Sequence, residues 1–204
     1  AAKTALREGV SCSLAGGTHH AFYSSGNGFC VFNDAAIISK KILELNSGGS
    51  VLIIDTDVHQ GDGTASILKK NKNVFTFSLH SARNYPHIKQ TSDLDISLPD
   101  KTSGDIYLDA LKEGLKVVQS MVSPSFIIYL SGADIFEHDR LGRLKISKEE
   151  IKTRDELVIN YARKNQTPIV VLMGGGYGKK ISDTVDIHVN TIMTALRAYE
   201  ELKS

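Results

Sequence analysis

The sequence has no tryptophan, and it contains only two cysteines and four prolines among 204 residues. Two cysteines, Cys12 and Cys30, are too few for a disulfide framework, so we expect a reduced, cytoplasmic protein. The formal net charge is +1 without long runs of one sign, which argues against a direct nucleic-acid or membrane surface. No apolar stretch is long enough to span a bilayer, and residues 1–9 lack the apolar core of a signal peptide.

The chain is long enough to bury a sizeable core, and we expect one domain over residues 1–204. Short apolar runs alternate along it with helical patterns. Strands are predicted at residues 10–14, 51–55, 74–79, 126–130 and 168–173, with a weaker one at 94–98. Helices are predicted at residues 1–9, from Asn33 or Asp34 to about 45, between 107 and 122, from 147 to about 164, and between 185 and 199. This alternation predicts a three-layer α/β fold with a mostly parallel sheet.

Polar side chains follow five of the predicted strands, at the point where each strand ends. In open parallel sheets, ligands bind in the crevice outside the carboxyl ends of the strands. Reactive side chains from five strand ends are therefore expected at one rim of the sheet. The five strand ends, with the apolar residues between the polar ones, are Gly16, Gly17, Thr18, His19 and His20; Asp55, Asp57 and His59; Ser78, Leu79 and His80; Ser131, Gly132, Ala133 and Asp134; and Gly174, Gly175, Gly176 and Tyr177.

The stretch 51–63, VLIIDTDVHQGDG, places Asp55, Asp57 and His59 at a spacing of two after an apolar run. In an extended strand, a period of two puts side chains on one face. Buried carboxylates and imidazoles are costly unless something binds them, and both are ordinary zinc ligands. A divalent metal is therefore the first hypothesis. The alternative is a capping aspartate, a salt-bridged aspartate and a surface histidine in one loop.

Six motifs occur in order along the chain: GGTHHAF, SGNGFCVFNDAA, DTDVHQGDGTA, FSLHSARNYP, SGADIFEHDRLGRL and GGGYG. Together they resemble the motifs of the histone deacetylase-like zinc amidohydrolases. The stretch GADxxxxDRLGRL…RDELV is most similar to the class IV histone deacetylases and their bacterial relatives. The resemblance runs from about residue 1 to the C-terminus. It implies an arginase/deacetylase-like fold, and it leads us to expect that the N-terminal strand–helix units of that fold are missing from this chain.

The resemblance also implies a metal site. Asp57, His59 and Asp134 match the zinc ligands of the family, which hold one zinc ion per chain and leave one position open for catalysis. The alternative for Asp134 is the N-cap of a helix after the strand.

The catalytic residues implied by the resemblance are two histidines, their partners and a tyrosine. His20 matches the general base that later acts as the acid, and His19 matches a largely electrostatic neighbour. Asp55 is implied to orient His19, and Asp62 to orient His20. Tyr177 matches the residue that donates its hydroxyl to the substrate carbonyl; the alternative is a packed tyrosine in a plain loop.

The substrate-binding residues implied by the resemblance are Gly28, Phe29, Tyr85 and Gly175. Phe29 and Tyr85 are expected to form opposite aromatic walls of a tunnel for the acyl-lysine chain. The sequence Pro-His after Tyr85 departs from the family's usual Pro-Gly, so an ordinary core role stays open for Tyr85.

A second cation is also implied. Ser78, together with the backbone carbonyls of Asp55, Asp57, His59 and Leu79, matches a monovalent-cation site of the family that usually holds potassium and supports the zinc loop.

These residues together imply zinc-dependent hydrolysis of an acylated amine by metal-bound water, with an acylated lysine as the first candidate substrate. One rival is an arginase- or agmatinase-like hydrolase with two manganese ions. It needs a second Asp-x-Asp pair, but Ile135 and Phe136 follow Asp134. The other rival is a non-catalytic acyl-group binder. The N-terminal units that would complete the tunnel rim are expected to be missing, and a chain with an incomplete rim could bind an acyl group without hydrolysing it. The acyl group and the oligomeric state stay open.

Overall fold

A computed structural model of the chain describes residues 1–46 and 48–203. Ser204, the last residue of the predicted domain, lies outside the described residues. The elements in the described part are α1 (Ala2–Glu8), β1 (Val10–Ser13), α2 (Asp34–Leu45), β2 (Val51–Asp55), α3 (Asp62–Leu68), β3 (Val74–Ser81), β4 (Leu94–Leu98), α4 (Gly104–Met121), β5 (Phe126–Ser131), α5 (Lys148–Lys164), β6 (Ile169–Met173) and α6 (Ile181–Lys203).

The six strands form one sheet in the order β1-β6-β5-β2-β3-β4. Every neighbouring pair is parallel. Helices α4, α5 and α6 pack on one face of the sheet, and α1, α2 and α3 pack on the other. The prediction of a three-layer α/β fold with a mostly parallel sheet is therefore confirmed, and the sheet is parallel throughout.

Strand β2 shows why the predicted strands are unbroken apolar runs. Leu52 and Ile54 belong to the hydrophobic cluster on the α4–α6 face, whereas Val51 and Ile53 belong to the cluster on the α1–α3 face. All four side chains are buried. A strand that is covered on both faces has no solvent side, so it carries apolar residues at every position.

The predicted strands are all present, and their observed ends differ from the prediction by at most two residues. The side chain of Asn33 accepts a hydrogen bond from the N–H of Ala36 and begins α2. Ser147 and Glu150 form the predicted capping box of α5. Helix α3 was not predicted, because its seven residues are too few to show a helical period and it lacks the glycine C-cap that marks the equally short α1.

The topology brings the functional loops to one place. All strands point in the same direction, so the loops after β1, β2, β3, β5 and β6 leave the sheet at the same rim. Strands β2 and β5 lie at the centre of the sheet, where two neighbours hold each of them.

Within residues 1–46 and 48–203, none of the helices combines the length and apolar character needed to cross a membrane.

Candidate active site

A cavity of about 610 Å³ opens at the carboxyl-terminal rim of the sheet. Five strand ends contribute to its lining, as the placement of polar residues in the sequence predicts. The lining includes His19, His20, Gly28 and Phe29 after β1; Asp57 and His59 after β2; Arg83, Asn84 and Tyr85 after β3; Leu141 and Arg143 after β5; and Gly175 and Tyr177 after β6.

Two buried histidine–aspartate pairs lie side by side at the base of the cavity. His19 Nδ1 lies 2.6 Å from Asp55 Oδ2, and His20 Nδ1 lies 2.6 Å from Asp62 Oδ1. The two imidazole rings are stacked with their centroids 4.1 Å apart. Since a carboxylate only accepts hydrogen bonds, Nδ1 of each histidine is the donor. Nε2 of each histidine is therefore available to exchange a proton or form a hydrogen bond with a molecule in the cavity.

The two histidines differ in their electrostatic surroundings. Burial alone would lower the pKa of His19, but the negative charges of Asp55 and Asp57 outweigh burial and raise the pKa to about 9. For His20 burial dominates over the hydrogen bond to Asp62, and its pKa is lowered. At neutral pH, His19 is therefore cationic and His20 is neutral. A neutral imidazole can take a proton, whereas a cationic one can only donate or attract negative charge.

Three ligand-type side chains meet beside these pairs. The ligand atoms of Asp57, His59 and Asp134 lie within 4.8 Å of one another, and all three residues are buried. His59 Nδ1 is 2.9 Å from Asp57 Oδ1 and 3.1 Å from Asp134 Oδ2. Burial and the nearby Asp57 carboxylate raise the pKa of Asp134 to about 7. Against the effect of burial, both carboxylates raise the pKa of His59 to about 10, because a protonated imidazole between them offsets their mutual repulsion. A bound cation would offset the same repulsion.

The backbone holds these carboxylates in place. Asp57 Oδ2 accepts a 2.6 Å hydrogen bond from the N–H of Gly175, and Asp134 Oδ1 accepts one of 3.0 Å from the N–H of Val58. Asp134 Oδ2 is buried and has no hydrogen-bond partner among the described residues, although His59 lies near it. An unpartnered buried carboxylate oxygen beside an imidazole nitrogen fits a divalent metal ion.

Glycine is required where β5 and β6 meet this cluster. A Cβ atom at Gly175 would collide with Asp134 Oδ2, and one at Gly132 would lie 2.6 Å from the Cα of Asp57. Two glycines therefore allow the ends of three central strands to approach closely enough for their side chains to share one centre.

Tyr177 borders the cavity near the three-residue cluster. Its backbone N–H donates to Asp139 Oδ2 at 2.6 Å, and its carbonyl accepts a 3.0 Å hydrogen bond from Arg140 Nε. Burial and the charges of Asp57 and Asp134 raise the pKa of the Tyr177 hydroxyl to about 12. The hydroxyl is therefore protonated at neutral pH and can donate a hydrogen bond.

Two aromatic rings stand at the walls of the cavity. The Phe29 side chain is 90% exposed, and its ring centroid is 6.4 Å from that of Tyr177. The Tyr85 ring meets the His20 ring edge-on at 4.9 Å. Gly28 lies against His20, where a Cβ atom would come within 2.5 Å of the imidazole ring. All four residues expected to bind substrate, Gly175 included, line the cavity.

Two residues of the expected monovalent-cation site lie on the neighbouring strands β2 and β3. Asp55 and Ser78 are neighbours in the register of β2 and β3, and both are buried. The Ser78 hydroxyl lies 2.9 Å from His80 Nδ1, and His80 Nε2 lies 2.9 Å from Ser97 Oγ. If His80 Nε2–H donates to Ser97, the Ser78 hydroxyl donates to Nδ1 and its oxygen lone pairs stay available.

Asn84 has a structural role at the site that the sequence analysis did not identify. It is buried, and its Nδ2 donates a 2.7 Å hydrogen bond to the carbonyl of Leu141. This bond joins the wall that carries Tyr85 to the wall that carries Leu141. No pattern of residue spacing could have signalled it, because the two walls come from separate strands.

Arg154 lies beneath the site and was also missed. It is fully buried in α5, where its Nη1 donates to the carbonyl of Gly132 at 2.5 Å. Its Nε and Nη2 donate to Asp155 Oδ1, which also accepts a 2.6 Å hydrogen bond from the Tyr129 hydroxyl. The adjacent Arg-Asp pair was the available signal, but charged residues in a helical pattern are usually exposed.

Comparison with known proteins finds relatives for nearly the whole chain. A family model described as the histone deacetylase domain matches residues 1–192. An uncharacterized protein of Picosynechococcus sp. is 43% identical over 187 residues, which make up 92% of this chain and 62% of that protein. Histone deacetylase 2 of Arabidopsis thaliana is 36% identical over 194 residues, which make up 91% of this chain and 50% of that protein.

The fold is also similar to that of a solved structure. The crystal structure of a histone deacetylase homologue from Aquifex aeolicus superposes with a TM-score of 0.81 at 24% identity, over 95% of this chain and 55% of that one. The chain thus spans 62% of the length of the Picosynechococcus protein and 50% of that of the Arabidopsis protein.

Proposed function

Because the chain belongs to the histone deacetylase family, we propose that it hydrolyses an acylated amine, with N-acyl-lysine as the first candidate. The observation that carries the proposal is that a neutral histidine, a protonated tyrosine and a cluster of three ligand-type side chains meet at one cavity. Together these groups can supply a base, a hydrogen-bond donor and an electrophile, which are the parts that amide hydrolysis needs.

The proposal includes one zinc ion held by Asp57, His59 and Asp134. The fit rests on the unpartnered buried oxygen of Asp134 and on a donor set of two carboxylates and one imidazole, which suits zinc. When bound, zinc polarises an amide carbonyl and lowers the pKa of a water to about 7. Ile135 and Phe136, which follow Asp134, are buried apolar residues and offer no ligand to a second metal. One metal is therefore favoured over the arginase-like alternative.

The protein's own residues handle the proton. His20 Nε2 takes a proton from the attacking water, because its Nδ1–H is committed to Asp62 and its pKa is lowered by burial. The same nitrogen then returns the proton to the departing amine. The products are a free amine and a carboxylate, so one water is consumed for each bond that breaks.

Tyr177 and His19 stabilise the negative charge that develops on the carbonyl oxygen. The Tyr177 hydroxyl, which is protonated at neutral pH, donates a hydrogen bond to the oxygen that becomes negative as the carbonyl is attacked. His19 is held cationic by Asp55, and its positive charge stabilises the same developing anion from the base of the cavity. Phe29 and Tyr85 flank the acyl-lysine chain, and Gly28 and Gly175 leave room for it.

We also include in the proposal a potassium ion bound by Ser78 and by the backbone carbonyls of Asp55, Asp57, His59 and Leu79. The buried Ser78 hydroxyl supports it, because its lone pairs are available when Ser78 donates to His80 Nδ1. Binding to the folded state alone would raise the melting temperature in proportion to the logarithm of the ion concentration. We expect a higher melting temperature in potassium chloride than in an equal concentration of sodium chloride, and equal values would remove this cation from the proposal.

The experiment that tests the proposed function is a panel of lysine peptides carrying acyl groups from acetyl to long fatty acyl. Purified protein is loaded with one equivalent of zinc, and amine release is measured with and without a chelator. We expect turnover that the chelator abolishes and that His20→Ala reduces strongly. Binding of the acyl peptides without turnover of any of them would instead identify a non-catalytic acyl-group binder.

A further inference from the structure

The mouth of the cavity carries two arginines that share one carboxylate. Arg143 Nη1 lies 3.1 Å from Asp100 Oδ2, and Arg83 Nη1 lies 3.9 Å from the same oxygen. Both arginines line the cavity. One carboxylate balances only one guanidinium group, so this pair leaves an excess positive charge at the mouth.

Other lining residues do not offset this charge. Among the described residues that line the cavity, the only carboxylate is that of Asp57, which is buried at the base and belongs to the three-residue cluster. Two further cations are attached to the walls nearby. Lys89 Nζ donates to the carbonyls of Asn84 and Pro86 next to Tyr85, and Arg140 lies beside Tyr177.

We infer that the arginine pair selects acylated amines that carry a carboxylate close to the acylated nitrogen, such as an acyl-lysine with acidic neighbours in a peptide. This inference rests on the proposed function and specifies its substrate class. Guanidinium groups bind carboxylates through two parallel N–H donors, and they repel ammonium groups. Polycationic substrates, such as acylated polyamines or lysine-rich peptides, are disfavoured at this mouth.

The expected size of the effect follows from solvent exposure. The side chains of Arg83 and Arg143 are 76% and 53% exposed, so salt screens their charges. Exposed ion pairs contribute modestly, and two of them together change affinity by about 10-fold at low ionic strength. The effect lies in KM and in the association rate, because the charges are at the entrance.

The test uses three peptides with the same central acetyl-lysine, flanked by glutamate, by glutamine or by lysine. kcat/KM and the dissociation constant of a fluorescent version are measured at low and at high salt. For the wild type we expect the order glutamate, glutamine, lysine, with a spread of about 10-fold between the ends that shrinks as salt screens the charges. The reverse order, or no order, overturns the inference.

Variants assign the preference to the arginine pair. The double variant R83Q/R143Q is expected to narrow the spread between the glutamate and lysine peptides to within about twofold. Asp100→Asn removes the compensating carboxylate and is expected to widen it, which keeps the test usable if the double variant does not fold. Lys112→Gln, at an exposed lysine of α4 outside the cavity, is the matched control and should keep the wild-type spread.

The two proposals fail in different ways. If the wild type hydrolyses none of the peptides but binds them in the expected order, the proposed function fails and the inference about the mouth stands. If it hydrolyses all three at equal kcat/KM and binds them equally, the proposed function stands and the inference fails.

Discussion

The backbone N–H of Tyr177 donates a 2.6 Å hydrogen bond to Oδ2 of Asp139. The other oxygen of the same carboxylate accepts hydrogen bonds from the N–H groups of Leu141 and Gly142. Asp139 is buried and does not line the cavity. It therefore fixes the loop after β6 and the loop after β5 relative to each other, and we assign it as a positioning residue for Tyr177.

Replacing Asp139 with alanine should lower kcat about 10- to 100-fold, because a small misplacement of a hydrogen-bond donor is costly in an active site. The readout is a double-mutant cycle with Tyr177→Phe, which should itself lose most of the turnover while keeping bound zinc. If Asp139 acts through Tyr177, its replacement adds little in the Tyr177→Phe background. Additive losses would indicate that Asp139 has only a general structural role. Tyr23→Phe, at an exposed tyrosine, is the matched control.

Replacing Asp62 with asparagine tests the pairing with His20 through the pH profile. The proposed base, His20, works in its neutral form, so we expect kcat/KM to fall as the pH drops through the pKa of His20, which is already lowered by burial. The hydrogen bond that His20 Nδ1–H donates to Asp62 raises that pKa, so its loss lowers the pKa further. We expect the acid limb of the profile to move to lower pH and kcat to fall about 10-fold, since a weaker base removes the proton less well. An acid limb that moves to higher pH, or does not move, would contradict the pairing.

Replacing His59 with alanine removes one of the three proposed zinc ligands. Loss of a ligand from a three-residue set should reduce zinc occupancy strongly at micromolar protein. Metal analysis of the purified variant after dialysis is the measurement, with wild-type protein expected to hold one zinc per chain. Full occupancy in the variant would exclude His59 as a ligand. His138→Ala, which changes a histidine outside the cluster, is expected to keep its zinc.

Replacing Arg154 with methionine should destabilise the fold by about 3–5 kcal/mol, because it leaves Asp155 buried without its cationic partner. Denaturant unfolding gives the free energy difference. Lys152→Met, two positions away on the partly exposed side of α5, is the control and should change stability by less than about 0.5 kcal/mol. A loss in Arg154→Met no larger than in the control would show that the buried network adds nothing to stability.

The sequence predicted the strands well because each buried strand of a parallel sheet is a continuous apolar run. The expected face shared by Asp55, Asp57 and His59 is not formed, since β2 ends at Asp55 and the chain turns there. Asp55 instead contacts His19, while Asp57 and His59 lie with Asp134. This division depends on loop geometry, which residue spacing alone does not determine.

Asp139, Asn84 and Arg154 could not be assigned from the sequence for a different reason. Each one acts on backbone groups of a segment that is distant along the chain: Asp139 on Tyr177, Asn84 on Leu141 and Arg154 on Gly132. Such contacts exist only after the sheet has assembled. Residue type and spacing carry information about local structure and about clusters at strand ends, but they say little about which backbone group a polar side chain will reach.

The order of the strands has a consequence for how the protein folds. The N–H of Gly175 and the carboxylate of Asp57 that it binds are 118 positions apart in the chain, and Val58 and Asp134 are 76 positions apart. Contacts at such separations form slowly, because the chain loses the entropy of closing a long loop before the favourable contacts form. The three-residue cluster therefore arises only when the adjacent strands β2, β5 and β6 have paired. A refolding chain has no complete ligand set until that step, so the rate of metal binding during refolding would report the pairing of these three strands.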